Sequence, residues 1–166
     1  MIYPILCFPD PVLKKKSAAV NIITDDIRQI ARDMAETMYA APGVGLAAPQ
    51  IGILQRIIVI DIAGKSEAPR LITVINPSVI HSEGEVFEDE GCLSVPDYSA
   101  NVRRYEKVVV KGLSIDGQER IWQADGLLAV AFQHEIDHLE GILFIDRLSP
   151  LKRGLYIKKL KKKGEL

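Results

Sequence analysis

Gln133-His134-Glu135-Ile136-Asp137-His138-Leu139 carries two histidines four residues apart, with a glutamate directly after the first. On a helix this spacing places both imidazoles on one face, one turn apart, with a carboxylate beside them, a pattern that holds a metal ion and activates water. The preceding Leu127-Leu128-Ala129-Val130-Ala131-Phe132 is apolar and continues into Ile136 and Leu139, so the helix is predicted to be buried. Asp125 stands where it can cap the helix N-terminus, and Gly141 suits the left-handed position after its end. Burying two imidazoles and a carboxylate unpaired would cost a few kcal/mol per group, a penalty that a metal removes. Metal ligation is therefore favoured over a solvated histidine pair.

The elements flanking this helix define the fold class. Thr24 is a cap for a helix from about Asp25 to Ala41, with Ile27, Ile30, Ala31, Met34, Ala35, Met38 and Tyr39 at helical spacing. Arg56 to Ile62 and Leu71 to Ile75 are short, β-branched runs. Val108 to Leu113, Asp116-Gly117 and Glu119 to Gln123 read as a hairpin, and Pro150 to Lys163 as a final helix. Strands cluster in the middle instead of alternating with helices, which predicts an α+β fold: mostly antiparallel sheets packed around a central metal-binding helix, with N-terminal and C-terminal helices.

The chain has 166 residues, 48% of them hydrophobic, enough for one domain spanning 1–166 with its own core. A net charge of −1 gives no global reason to expect nucleic-acid binding. No apolar run approaches the roughly 20 residues of a bilayer span, and Met1-Ile2-Tyr3-Pro4-Ile5-Leu6 lacks the features of a signal peptide, so no membrane association is expected. The two cysteines, Cys7 and Cys92, are accordingly expected to be reduced thiols in the cytoplasm.

A catalytic metal usually has three protein ligands and one open position. In the long protease form of the motif a further histidine follows the conserved glycine, and here that position is Phe144. Glu165, Asp146 and His81, the last in a polar turn-like stretch, are weak candidates. Cys92, in Glu90-Gly91-Cys92-Leu93-Ser94, is stronger. The acids at 88–90 oppose the negative charge that a nucleophilic thiolate carries, whereas a divalent cation favours it, and a His, His, Cys set suits zinc or iron. The other reading of Cys92 is a small buried hydrophobe. Gly43-Val44-Gly45-Leu46-Ala47-Ala48-Pro49-Gln50 is not a dinucleotide fingerprint, because it follows a helix and is closed by a proline. Its small residues let a substrate backbone approach closely.

Three segments together, Gly43 to Gln50, Glu90 to Ser94 and Gln133 to Leu139, match in order and spacing the signature motifs of another group of enzymes, and the chain thereby resembles the peptide deformylase family. Pro9-Asp10-Pro11-Val12-Leu13 fits the same pattern, so the resemblance runs over essentially the whole length. It implies a metal-dependent hydrolase that removes the formyl group from the N-terminal formyl-methionine of new polypeptides and releases formate. The implied cofactor is one divalent ion, usually Fe2+, with Zn2+, Ni2+ or Co2+ as substitutes. The match makes Cys92, His134 and His138 the ligands, Glu135 the general base, and the Gln50 amide and Leu93 backbone N–H the oxyanion donors. Leu127, Val130 and Ala131 could line an apolar slot for methionine, and Val44 and Gly45 could pair with the extended peptide. Some family members have an arginine a few residues after the cysteine motif, where this chain has Asp97-Tyr98-Ser99-Ala100. The implied partner is the nascent chain. The basic C-terminal helix, with Lys152, Arg153, Lys158, Lys159, Lys161, Lys162 and Lys163, suggests ribosomal RNA as a second. The rival reading is a zincin-like metallopeptidase.

Overall fold

In a computed structural model covering Met1–Leu166, the first long element is α1 (Asp25–Ala40). Thr24 starts it as expected: its hydroxyl accepts from the Ile27 N–H at 3.3 Å, and Asp25 and Asp26 face the positive end of the helix dipole. Five strands follow in one antiparallel sheet: β1 (Gly45–Ala47), β2 (Ile57–Ile60), β3 (Ile72–Glu83), then, after a separate strand pair, β6 (Lys107–Leu113) and β7 (Glu119–Asp125), in the order β1-β2-β3-β6-β7. The separate pair is β4 (Val86–Cys92) with β5 (Val95–Arg104).

β2 explains why the central run is apolar at every position. Ile57 and Val59 join Ala31, Met34 and Met38 of α1 in one core, while Ile58 and Ile60 face the opposite side and join Ala129, Ala131 and Phe132 in another. A strand covered on both faces has no solvent side and no alternation of polarity. The second core belongs to α2 (Gly126–Leu139), the helix carrying the two histidines. A third core, built from Val95, Val102, Phe144, Tyr156 and Leu160, lies under the β4–β5 pair. The motif helix thus sits between the large sheet and the β4–β5 pair, and the architecture is α+β as the sequence pattern predicts.

Several local expectations change. The predicted 71–75 strand continues to Glu83 through two register shifts in its pairing with β6, so His81 is a strand residue opposite Val109, not part of a turn. The first shift, between Ile75 and Ser78, contains Asn76 at φ 53°, whose side chain leaves the ladder to bond both backbone groups of Val20, at 2.8 and 2.9 Å. The 86–104 strand pair has no counterpart in the sequence reading, because its charged faces hide the alternation. Asp125 does precede α2, but as the last residue of β7 it is exposed and makes no capping hydrogen bond. The hairpin falls as predicted, with Leu113 opposite Glu119. Gly141 adopts φ 75°, and an added Cβ would meet the Lys14 carbonyl. The last helix, α3 (Pro150–Lys162), is capped by Ser149, whose Oγ accepts from Lys152 N–H at 3.2 Å. Tyr156 stacks on Tyr98 at 4.4 Å between centroids, fixing α3 to β5. No helix is long and apolar enough to cross a membrane.

Candidate metal centre

The fold brings Cys92, at the end of β4, to the two histidines of α2: the thiol and one nitrogen from each ring all lie within 4.8 Å of one another. Cys92 Sγ is 3.4 Å from His138 Nε2. The His134 ring meets that of His138 edge-on, 5.0 Å between centroids. Both histidines are buried, with His138 1% exposed. Both cysteines are free thiols.

The surroundings fit a cation. Ser94 N–H and the Gln50 amide point at Cys92 Sγ, at 3.4 and 3.7 Å, donors suited to a thiolate. His134 Nδ1 is 2.9 Å from Glu90 Oε1, which fixes the ring and leaves Nε2 for the ligand face. Burial acts to lower the His134 imidazole, but Glu135, Cys92 and Glu90 overcome it and hold it well above the usual range. The field at this ring therefore calls for positive charge, which a divalent ion supplies. Burial and the neighbouring His134 and Arg104 charges push His138 well below the usual range, leaving the neutral imidazole that a ligand must be.

The most informative residues that sequence reading missed form a chain of buried charges behind His134. Glu90 accepts a bidentate pair from Arg104 at 2.7 and 2.8 Å; Arg104 also donates to Asp137 at 2.7 Å, and Arg147 holds Asp137 from outside. Glu90 is thus committed to Arg104 and His134, and the sequence-based grouping of the 88–90 acids as repulsive neighbours of Cys92 is wrong for this one. Asp137 lies inside the motif itself, and a buried carboxylate there could have signalled a cation partner. Burial alone would raise Glu90, but the Arg104 and His134 contacts outweigh it and hold its carboxyl below the usual glutamate range. A lowered native value stabilises the fold above the unfolded value and loses that contribution as pH falls through the native one. Removing the Arg104 cation, whose side chain is 2% exposed, takes the bidentate partner from buried Glu90, which keeps only His134, and leaves Asp137 to Arg147 alone. Arg104→Met is expected to lower stability by about 3 to 5 kcal/mol at neutral pH, read by chemical denaturation, with a smaller deficit below pH 4.

Glu135 follows the first ligand but serves a different space. Glu135 is 4% exposed, its buried Oε1 has no partner, and burial pushes its carboxyl up to about 7. It lines a cavity of about 580 Å3 together with His134, Cys92, Gln50 and Leu93. Gly45 permits this closeness, since a Cβ there would collide with the Glu135 carboxylate. Gln50 is locked: Oε1 accepts from Ala47 N–H at 2.9 Å while Nε2 donates to Ser94 Oγ at 3.0 Å. Leu127, Val130, Ala131, Val44 and Gly45 line the same cavity, while His138, which does not line it, joins Cys92 and His134 in the ligand cluster. Val44 and Leu127 are exposed, whereas Val130 and Ala131 are buried. Phe144, at the position where a protease would place its third histidine, stacks near His134 at 6.2 Å.

A buried helix presenting His134, Glu135 and His138, with Cys92 from a strand beside them, defines the class as a metallohydrolase scaffold with a candidate Cys-His-His centre. The family model for polypeptide deformylase matches residues 2–154, and the chain belongs to that family. The peptide deformylase of Thermodesulfovibrio yellowstonii is 51% identical over 156 residues, covering 94% of each chain. That of Syntrophobacter fumaroxidans is 51% identical over 162 residues, covering 98% of this chain and 95% of its own. Among solved structures, the Legionella pneumophila enzyme superposes with a TM-score of 0.91 at 46% identity, over 99% of this chain and 96% of its own. The Ehrlichia chaffeensis enzyme in complex with actinonin gives 0.92 at 38% identity, over 99% of both chains.

Proposed function

We propose that this chain, acting as one catalytic domain, hydrolyses the formyl amide on the N-terminal methionine of new polypeptides and releases formate. The observation that carries this is Glu135 lining one cavity with Cys92 and His134, which cluster with His138 as candidate ligands. These three residues would hold one divalent ion, and the softness of the set suits Fe2+, with Zn2+, Ni2+ or Co2+ as substitutes. When bound, the ion supplies Lewis acidity that polarises the carbonyl and makes water more acidic.

This chain's own groups do the rest. Glu135 takes a proton from the attacking water and returns it to the departing amine, a role suited to a carboxylate poised near neutrality. The Gln50 amide, pinned by Ala47 and Ser94, and the Leu93 N–H donate to the developing oxyanion, where one such donor is worth roughly 3 to 4 kcal/mol. Leu127, Val130 and Ala131 take the methionine side chain. β1 is an edge strand of its sheet, so Val44 and Gly45 can hydrogen-bond an extended peptide whatever its side chains. Mass spectrometry of a formyl-methionyl peptide incubated with the metal-loaded protein tests this reading. Loss of the formyl group with every peptide bond intact is expected, whereas internal cleavage would favour the metallopeptidase.

The working site is the cytoplasm, on the emerging chain. Ribosomal RNA is the second partner proposed, for the exposed Lys158, Lys159, Lys161 and Lys162 on α3. Truncating the helix would also remove buried Tyr156 and Leu160, so substitution is the cleaner probe. Changing those four lysines to glutamine should weaken ribosome cosedimentation and flatten its salt dependence, by about one unit of slope per lost phosphate contact. Unchanged cosedimentation would remove this partner.

A further inference from the structure

The cavity that ends on Glu135 opens through a rim charged with one sign. Glu88 and Asp89 of β4 and Asp97 of β5 line it, and all three side chains are exposed. Acids on either side in sequence are taken: Glu85 by Arg103, Glu90 by Arg104. Glu88, Asp89 and Asp97 have no such partner, and no lysine or arginine lines the cavity. Asp97 is held at φ 61°, a backbone region that few residue types besides glycine, asparagine and aspartate adopt readily, so its position in the rim is built into the turn of the strand. At the floor, Glu135 is nearly sealed from solvent with Oε1 unpartnered, which independently marks this cavity as one made for a ligand. A divalent ion there would be balanced by the Cys92 thiolate and the Glu135 carboxylate, so it would not cancel the rim.

Resting on the deformylase reading, we propose that Glu88, Asp89 and Asp97 are specificity-determining residues that favour a cationic side chain, and disfavour an acidic one, at the residues directly after formyl-methionine. A peptide whose methionine occupies the slot by Val130 and Ala131 shares its cavity with these three acids, which its following residues can meet. One exposed pair of opposite charges is worth up to about fivefold in affinity. Three unpaired like charges around a concave site act together and raise the local concentration of the favoured peptide. The preference appears in KM and not in kcat, because Glu88, Asp89 and Asp97 are neither candidate ligands nor groups that carry the proton, and act on the peptide equally in the ground and transition states.

The experiment compares formyl-Met-Ala-Lys, formyl-Met-Ala-Gln and formyl-Met-Ala-Glu, all as C-terminal amides, with the metal-loaded enzyme. At about 20 mM salt the Lys peptide is expected to exceed the Glu peptide about tenfold in kcat/KM. At about 0.5 M the ratio should fall to roughly twofold, as the screening length shrinks to a few ångströms. In the isosteric triple variant Glu88→Gln, Asp89→Asn, Asp97→Asn, with asparagine keeping the left-handed backbone accessible, the ratio should approach one at both salt concentrations. Equal rates for Lys and Glu peptides in the parent at low salt, a preference indifferent to salt, or one retained in the triple variant would overturn the assignment. The salt series needs no variant and decides the matter even if the triple variant does not fold. The neutral Gln peptide separates the two readings: if it releases formate, only the rim is in question; if no peptide does, the deformylase reading fails and the selectivity with it.

Discussion

Glu135→Gln is expected to lower kcat about a thousandfold while the protein keeps its metal and binds peptide within a few-fold of the parent. The size follows from the typical worth of a positioned acid-base group, about a hundredfold to ten-thousandfold. The selectivity follows from the geometry. Glu135 is not one of the three clustered candidate ligands, and its buried Oε1 makes no hydrogen bond that an amide would break. Glutamine keeps the shape beside Gly45, where nothing larger is tolerated, but cannot carry a proton from water to the leaving amine. Metal analysis alongside single-turnover kinetics checks both halves. Near-parental turnover by the metal-replete variant would remove Glu135 from the reaction, and loss of metal would reassign it as a ligand.

The second large effect is at Cys92. Cys92→Ala is expected to weaken metal binding by more than about a hundredfold, exceeding what loss of even a supporting outer partner costs. The same change leaves the Ser94 N–H and the Gln50 amide without the sulfur they point at, and leaves His138 Nε2 facing a gap where Sγ stood 3.4 Å away. The parent should therefore gain thermal stability on metal addition, since a ligand that binds only the folded state stabilises it by mass action. Cys92→Ala should gain little at the same metal concentration. An equal stabilisation in both proteins would show that the thiol is not a ligand and that Cys92 belongs to the core it already touches beside Val95 and Val102.

What the sequence disclosed depended on the kind of signal each element carries. The motif helix was legible because six apolar residues precede two histidines at helical spacing, and α1 because Thr24 and a long amphipathic repeat bound it. The β4–β5 pair was not, because residues such as Glu88, Asp89, Arg103 and Arg104 fill it with charge. Two of those charges, Glu90 and Arg104, turn inward and pair under the metal centre, so the same residues that obscured the strands support the site. Cys92 could be suspected only by elimination until its motif was read with the other two. It also sits at a register irregularity between Gly91 and Cys92 that no local pattern announces. The long β3 escaped for a similar reason, since Asn76-Pro77 reads as a break and the structure absorbs it as a bulge.

The central claim is that this chain removes formyl groups with a metal held by Cys92, His134 and His138. Formate release from a formyl-Met tripeptide tests it most directly, using protein purified without oxygen, loaded with Fe2+ and run beside Cys92→Ala. The account predicts stoichiometric formate and free methionyl amine from the parent and little from the variant. Folded, metal-replete parent protein that releases no formate would contradict it.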